Sequence, residues 1–286
     1  MNLTKILTPS ALSTAKHQKP LTYDVRYPEN GTPKPVILFI HGFKGFKDWG
    51  YFNLMADTFA EAGFVFVKIN LSHNGTTPNA PEEFADLEAF GQNNFSIELD
   101  DVGLLLDHIL SADFEVPEEE IDKEQLMLVG HSRGGGLALL KASEDTRIRA
   151  VVTMAAVSDW EARWPKDVLQ QWKEAGIQHI PNSRTGQIMP LYYQIVEDYY
   201  RFRDRLHLPQ AIKRLKVPVL AFHGTEDETV PLSMAEDLQK WNDYVRLEIL
   251  EGANHTFGGG HPYPEDHLPA AVRHIIDTSV GFFKKS

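Results

Sequence analysis

The sequence contains no cysteine. That absence removes disulfides, thiolate metal ligands and cysteine nucleophiles together, and it fits a reducing compartment. Long apolar runs are missing too. No stretch approaches the roughly 18 consecutive apolar residues that a spanning helix needs, so no membrane span is expected. In the N-terminal MNLTKILTPSALSTAKHQKP, Thr, Pro and Ser break up the apolar residues too often for the core of a signal peptide. Positive charge is scarce: 28 Lys and Arg stand against 40 Asp and Glu, a net charge of −12. Phosphate backbones are bound by Lys and Arg that displace counterions, so neither nucleic acid nor an anionic membrane surface is an expected partner. No H-x-x-x-H pair sits on a helix and no G-x-G-x-x-G follows the first strand, so no metal and no cofactor are expected. These absences leave a soluble, cytoplasmic protein as the expectation.

What is present alternates in type. Short β-branched or aromatic runs are separated by longer helical patterns, the signature of an α/β fold with a mostly parallel sheet flanked by helices. Leu21 to Tyr27 alternates apolar and polar residues and reads as an edge-type strand, whereas Pro35 to Ile40 and Phe64 to Leu71 read as strands buried on both faces. Helices are expected over Tyr51 to Ala62 and Ile97 to Leu110, each with an apolar stripe, and over Arg133 to Lys141 and Ala271 to Phe283. Further strands fall at Leu126 to Val129, Arg149 to Met154, Val217 to Phe222 and Val245 to Leu250, and Ser72 to Asn94 reads as loop. Between about 159 and 209 no buried strand is apparent, but Trp160, Trp164, Trp172, Tyr192, Tyr193, Tyr199, Tyr200 and Phe202 crowd together. A loop of that length would be unusual. The expectation is one domain over residues 1–286, with a helical cap insertion at about 159–209.

The most informative segment is Gly130-His131-Ser132-Arg133-Gly134. It fits G-x-S-x-G between a buried strand and a helix, the context in which a serine is held on a strained turn above the sheet. Glycines two residues to either side avoid a collision, and the helix dipole favours negative charge developing there. Upstream, His41-Gly42-Phe43-Lys44-Gly45 follows a buried strand directly. Acyl transfer passes through an oxyanion that pre-aimed N–H groups stabilise, and the backbone N–H groups of Phe43 and Arg133 are the candidate donors. His41 reads as structural, and Lys44 and Lys47 as solvated. The Arg133 side chain reads as solvent-facing or ion-paired, with a substrate carboxylate as its alternative partner.

A base and an acid complete such a site. Asp227 ends the strand-following run Phe222-His223-Gly224-Thr225-Glu226-Asp227, where a carboxylate can orient a histidine; Glu226 and Asp159 compete with it. His255, on the loop after VRLEIL, is the candidate base in the chain order Ser, Asp, His. His261, His267 and His274 are the other downstream histidines, and His261 and His274 read as surface residues.

Taken together, HGF-KG, GHSRGG, HGTEDETVP and GANH resemble the α/β-hydrolase superfamily, in particular its prolyl-oligopeptidase- and dienelactone-hydrolase-like esterase branches and bacterial feruloyl or cinnamoyl esterases. The resemblance runs from about Leu21 to Phe283 and matches least in the cap. It implies an eight-stranded sheet, a Ser132, Asp227 and His255 triad, Phe43 and Arg133 as oxyanion donors, and carboxylic esters of modest size as substrates. HGF in place of HGGG argues against the hormone-sensitive-lipase type. The expected activity is ester hydrolysis through an acyl-enzyme, on a small-molecule ester that the aromatic cap suits if it is apolar or aromatic. Peptide hydrolysis on the same triad is the alternative, although oligopeptidases usually carry an N-terminal propeller and only about 20 residues precede Leu21 here. A catalytically silent ligand receptor is a third reading. Ser132 at the elbow, in place of aspartate, excludes haloalkane dehalogenation. The cap or an exposed strand edge offers a surface for a homodimer.

Overall fold

A computed structural model describes residues 3–12 and 19–286. Its centre is an eight-stranded sheet in the order β1-β2-β4-β3-β5-β6-β9-β10. The strands are β1 (Leu3–Leu12), β2 (Leu21–Pro28), β3 (Lys34–Ile40), β4 (Val65–Asn70), β5 (Ile121–His131), β6 (Ile148–Met154), β9 (Val219–Gly224) and β10 (Val245–Leu250). A separate hairpin holds β7 (Ile177–Pro181) and β8 (Ile188–Tyr192). Only β2 runs against its neighbours β1 and β4; every other pairing in the large sheet is parallel.

Among the described residues ten α-helices accompany the strands: α1 (Phe52–Glu61), α2 (Leu87–Gly91), α3 (Phe95–Ile109), α4 (Arg133–Glu144), α5 (Lys166–Ala175), α6 (Gln194–Arg201), α7 (Arg203–Leu206), α8 (Leu208–Arg214), α9 (Leu232–Trp241) and α10 (Ala270–Phe283). The pleat divides the apolar residues of each strand between two cores. Val36, Leu38 and Ile40 of β3 join Val102, Leu137, Ile212 and Leu238 from α3, α4, α8 and α9 on one face. Ile37 and Phe39 join Phe52, Met55, Phe59, Val272 and Ile275 from α1 and α10 on the other. Both faces are covered, and for this reason the central strands read as continuous apolar runs.

Several expectations change. β1 was not apparent from the sequence, and because it takes the sheet edge, Leu21–Pro28 is an interior strand buried at every position. The alternation in β2 is real, but its polar side faces α1 instead of water. There the buried Asp24, Arg26, Lys47 and Lys68 form a polar cluster with the partly buried Asp48, Asn53 and Asp57. Lys47 Nζ lies 2.7 Å from Asp24 Oδ2, Lys68 Nζ 2.6 Å from Asp48 Oδ1 and Arg26 Nε 2.6 Å from Asp57 Oδ1. Lys47, expected to be solvated, is therefore buried, its charge held by Asp24 and Asp48. The Ser72 to Asn94 segment contains α2. The 159–209 segment carries α5, α6 and α7 and, in addition, the β7–β8 hairpin. Trp172 Nε1 donates to the Leu191 carbonyl at 2.9 Å and ties α5 to that hairpin. Among the described residues no helix is long and apolar enough to cross a membrane.

Candidate active site

Because β5, β9 and β10 run parallel, their carboxyl ends open on one edge of the sheet, where open α/β sheets gather functional groups. Ser132 sits between β5 and α4 with φ 56° and ψ −119°. A non-glycine residue in that region costs on the order of 1–3 kcal/mol and persists only where its surroundings fix it. The surroundings do so: Ser132 N–H donates to the Met154 carbonyl at 2.8 Å, and the Ser132 carbonyl accepts from Val157 N–H at 3.2 Å. A Cβ on Gly130 would run into the Gly134 carbonyl, and one on Gly134 into the Ile40 and His41 carbonyls. The glycines are thus required for the turn to nest against the end of β3.

His255 and Asp227 lie on the loops after β10 and β9. These loops are laced together by Thr225 N–H to the Leu250 carbonyl at 3.1 Å and Glu226 N–H to the Ala253 carbonyl at 3.0 Å. His255 Nε2 is 3.1 Å from Ser132 Oγ, and its Nδ1 is 2.8 Å from Asp227 Oδ2. Asp227 Oδ1 accepts from the N–H groups of Thr229 and Val230, both at 2.8 Å. Burial raises the Asp227 pKa, but hydrogen bonds from His223, His255 and Val230 outweigh it and hold the carboxyl well below the usual carboxylate range. An ionised Asp227 accepts at Oδ2, so His255 Nδ1 carries the proton and Nε2 is free to accept from the serine hydroxyl.

The loop after β3 closes in from the other side. A Cβ on Gly42 would lie 2.9 Å from Ser132 Cβ and 3.2 Å from the His131 carbonyl, so the chain passes directly over the serine. Phe43 follows it, and Arg133 N–H belongs to the first turn of α4, which lacks intrahelical acceptors. His41 Nδ1–H donates to the Gly42 carbonyl at 2.9 Å and fixes the loop; burial lowers its pKa to about 4, so it is neutral. That is the structural role expected of it.

The remaining candidates separate clearly. The Asp159 carboxylate accepts from Glu161 N–H at 2.8 Å and caps a local turn, and Glu226 is exposed. His267 is exposed, and His274 pairs with Glu248. His261 differs from its surface reading: its Nδ1 accepts from Gly50 N–H at 2.9 Å, and it lines a cavity with Ser132. Arg133 does not face solvent. Its Nη1 donates to Glu98 at 3.2 Å, and its guanidinium lies 4.3 Å from the Phe43 ring centre and 5.1 Å from that of Phe95.

Two further histidines stand beside the triad candidates, and the sequence suggested no role for either. His223 is fully buried behind Asp227, with Nε2 2.8 Å from the Val230 carbonyl and 3.3 Å from Asp227 Oδ2. His131 Nε2–H donates to the His255 carbonyl at 2.9 Å. Burial, then the neighbouring His255, lowers the His131 pKa to about 3, so it stays neutral. Both flank motif residues, so their position alone was the available signal. Among the described residues no group of three or more His, Asp or Glu could hold a metal ion.

Two cavities meet at Ser132. One, of about 290 Å³, is lined by Phe43, Lys44, Trp49, Phe52, Arg184 and His261 among others. The second, of about 440 Å³, is walled by Phe95, Val157, Trp160, Arg163 and Trp164.

Comparison with known proteins agrees with this architecture. In solved structures the chain is similar to a putative hydrolase from Agrobacterium vitis S4 (TM-score 0.72, 17% identity, 99% of this chain and 100% of that one). It is also similar to Est1E from Butyrivibrio proteoclasticus (TM-score 0.69, 16% identity, 97% and 98%). At such identities the likeness is one of fold, that of the α/β hydrolases. In sequence the chain is 26% identical over 241 residues to "Uncharacterized peptidase YuxL" of Bacillus subtilis (strain 168), covering 82% of this chain and 33% of that protein. The chain spans about a third to two fifths of the length of the curated relatives it matches. The family model for the prolyl oligopeptidase family matches residues 50–268, well over half of the sequence. The chain belongs to the prolyl oligopeptidase family.

Proposed function

We propose that the chain hydrolyses carboxylic esters through an acyl-enzyme, with Ser132 as nucleophile, His255 as general base and acid, and Asp227 as the carboxylate that orients it. The observation that carries this reading is the continuous relay of 2.8 Å from Asp227 to His255 and 3.1 Å from His255 to Ser132, ending on a serine of positive φ. As Ser132 Oγ attacks the ester carbonyl, His255 Nε2 takes its proton, then gives it to the departing alkoxide. The tetrahedral oxyanion falls between the N–H groups of Phe43 and Arg133. Such donors stabilise it by about 2.7–4 kcal/mol each. Water, deprotonated by the same histidine, then releases the acid and restores Ser132. Residues 1–286 act as one hydrolase domain in this account, with 159–209 as a cap whose Trp160 and Trp164 wall the larger cavity.

A second reading is favoured by the family itself and by the relative named as a peptidase: the same groups would cleave a peptide bond. The chemistry differs only in the leaving group, an amine that must be protonated before it departs. The test is parallel kinetics on 4-nitrophenyl esters from acetate to laurate, on methyl ferulate and on aminoacyl and dipeptidyl 4-nitroanilides, with Ser132→Ala as reference. Ester turnover that exceeds anilide turnover by orders of magnitude and vanishes in the variant supports the esterase reading. The reverse order transfers the same residues to the peptidase reading, and equal rates in wild type and variant remove Ser132 from the mechanism.

A further inference from the structure

The charge around Ser132 is opposite to the charge of the chain. The molecule carries −12, yet no Asp or Glu lines either cavity that reaches Ser132, whereas Lys44, Arg133, Arg163 and Arg184 all do. A cleft lined by one sign of charge between low-dielectric walls focuses its field and concentrates ligands of the other sign. The four cations are not equivalent. Arg133 is matched by Glu98, and Arg163 stands at the rim of the aromatic cavity. Arg184 lines the smaller cavity and Lys44 lines both, and neither forms an ion pair with a carboxylate among the described residues.

Both are nevertheless held in place. Arg184 sits on the turn between β7 and β8, its guanidinium 5.4 Å and 5.6 Å from the ring centres of Phe46 and Phe84. Cation–π contacts of this kind favour one placement of the guanidinium while leaving its N–H groups to other acceptors. Lys44 Nζ donates to the Pro181 carbonyl at 3.3 Å, where β7 enters the same turn. Burial lowers its pKa, since the ammonium has lost water without gaining a counter-charge. His261 accepts at Nδ1 from Gly50, so its neutral ring carries the proton on Nε2 and adds a donor. Trp49 and Phe52 supply the apolar part of the lining. The acidic pair Glu226 and Glu228 lines a separate groove beyond His255 whose lining does not include Ser132.

We propose that the cavity between Ser132 and the β7–β8 hairpin is an anion subsite for the acyl group, so that preferred substrates carry a carboxylate on the acyl chain, a few bonds from the scissile carbonyl. The Arg184 guanidinium receives the carboxylate, Lys44 and His261 flank it, and the aromatic or apolar remainder of the substrate occupies the Trp160 and Trp164 side. This inference rests on the serine hydrolase reading above and names its substrate class.

The test compares matched ester pairs. Mono-4-nitrophenyl glutarate against 4-nitrophenyl valerate places a carboxylate or a methyl at the end of the acyl chain. 3-Acetoxybenzoate against phenyl acetate places the carboxylate on the alcohol side. The expected result is a kcat/KM ratio of about tenfold or more in favour of glutarate over valerate, as a charge-assisted contact supplies, falling with added salt. The ratio drops to about one in Arg184→Gln and inverts in Arg184→Glu. Using a ratio within each variant removes any effect of folding yield. A glutarate-to-valerate ratio near or below one, a preference confined to the alcohol-side pair, or a ratio unchanged in both Arg184 variants overturns the subsite. Valerate hydrolysis abolished in Ser132→Ala reports the underlying reading separately, so an enzyme indifferent to charge refutes the subsite and leaves the triad standing.

Discussion

Gly42→Ala is the sharpest perturbation of the loop proposed to supply an oxyanion donor. The backbone at Gly42 is one that any residue adopts, so only space opposes the change. The added methyl would stand 2.9 Å from Ser132 Cβ and 3.2 Å from the His131 carbonyl. Ordinary carbon–carbon contact begins near 3.5 Å, so the loop must retreat by about 0.6 Å. Ser132 cannot yield instead, since the elbow is pinned on β6 through Met154. The N–H of Phe43, one peptide away, moves with the loop and away from the oxyanion. Complete loss of one such donor costs on the order of 10²–10³ in kcat, and displacements below 1 Å cost correspondingly less. The expected result is a kcat lowered about 10- to 100-fold with KM nearly unchanged. Overpacking should also cost about 1–3 kcal/mol of stability, so rates are read well below the unfolding temperature, with circular dichroism to establish folding. Gly260→Ala, whose methyl meets nothing within 4 Å, is the control and should leave both constants as they are. A folded Gly42→Ala protein with wild-type kcat would refute the assignment of Phe43 as a donor.

Asp227→Asn should lower kcat by on the order of 10⁴, as replacing the orienting carboxylate does in other triads by favouring the wrong imidazole tautomer, with little change in KM; a loss below about tenfold would contradict its role. Asp227 is held ionised far into acid and His131 neutral down to about pH 3, so neither should add an ionisation to the acid limb of the kcat/KM profile, which should be a single one. Two ionisations in that limb, resolved by steady-state kinetics from pH 4 to 9, would refute this. Asp101 behaves oppositely: burial, then Glu98 and Asp100, raise its pKa to about 7 against the hydrogen bonds from Ser72. The native state then binds a proton that the unfolded chain has lost above about pH 4. Stability should fall as pH rises from about 4 to 7, by at most about 1.4 kcal/mol per pH unit from this group. Asp101→Asn, which mimics the protonated acid, should flatten that slope in urea unfolding, and an unchanged slope would remove Asp101 as its source.

Much of this site is legible in the sequence because its parts are local. Gly130, Ser132 and Gly134 lie within five residues, and the strand before them and helix after them each have a strong apolar period. Asp227 and His255 could be sought on the loops after two strands, since parallel strands deliver their carboxyl ends to one edge. The features that stayed hidden depend on partners distant in sequence. Lys47 reads as solvated because nothing near it announces Asp24, and Lys68 is buried only because Asp48 and Asn53 reach it. β1 was obscured because its pairing register shifts between Ile6 and Ser10, where Pro9 interrupts the run. The β7–β8 hairpin is short, and prolines at 181 and 190 mask its alternation, so Arg184 had no visible relation to Ser132. His261 read as a surface residue beside Pro262, but the Gly50 N–H that positions it is more than 200 residues away.

The central claim is that Ser132 is a nucleophile activated by His255. Its most direct test is intact-mass analysis after treatment with a fluorophosphonate, followed by peptide mapping. Wild-type protein should gain a single adduct located on Ser132, Ser132→Ala none, and His255→Ala should label slower by orders of magnitude. Labelling at another residue, or wild-type labelling rates in His255→Ala, would contradict the account.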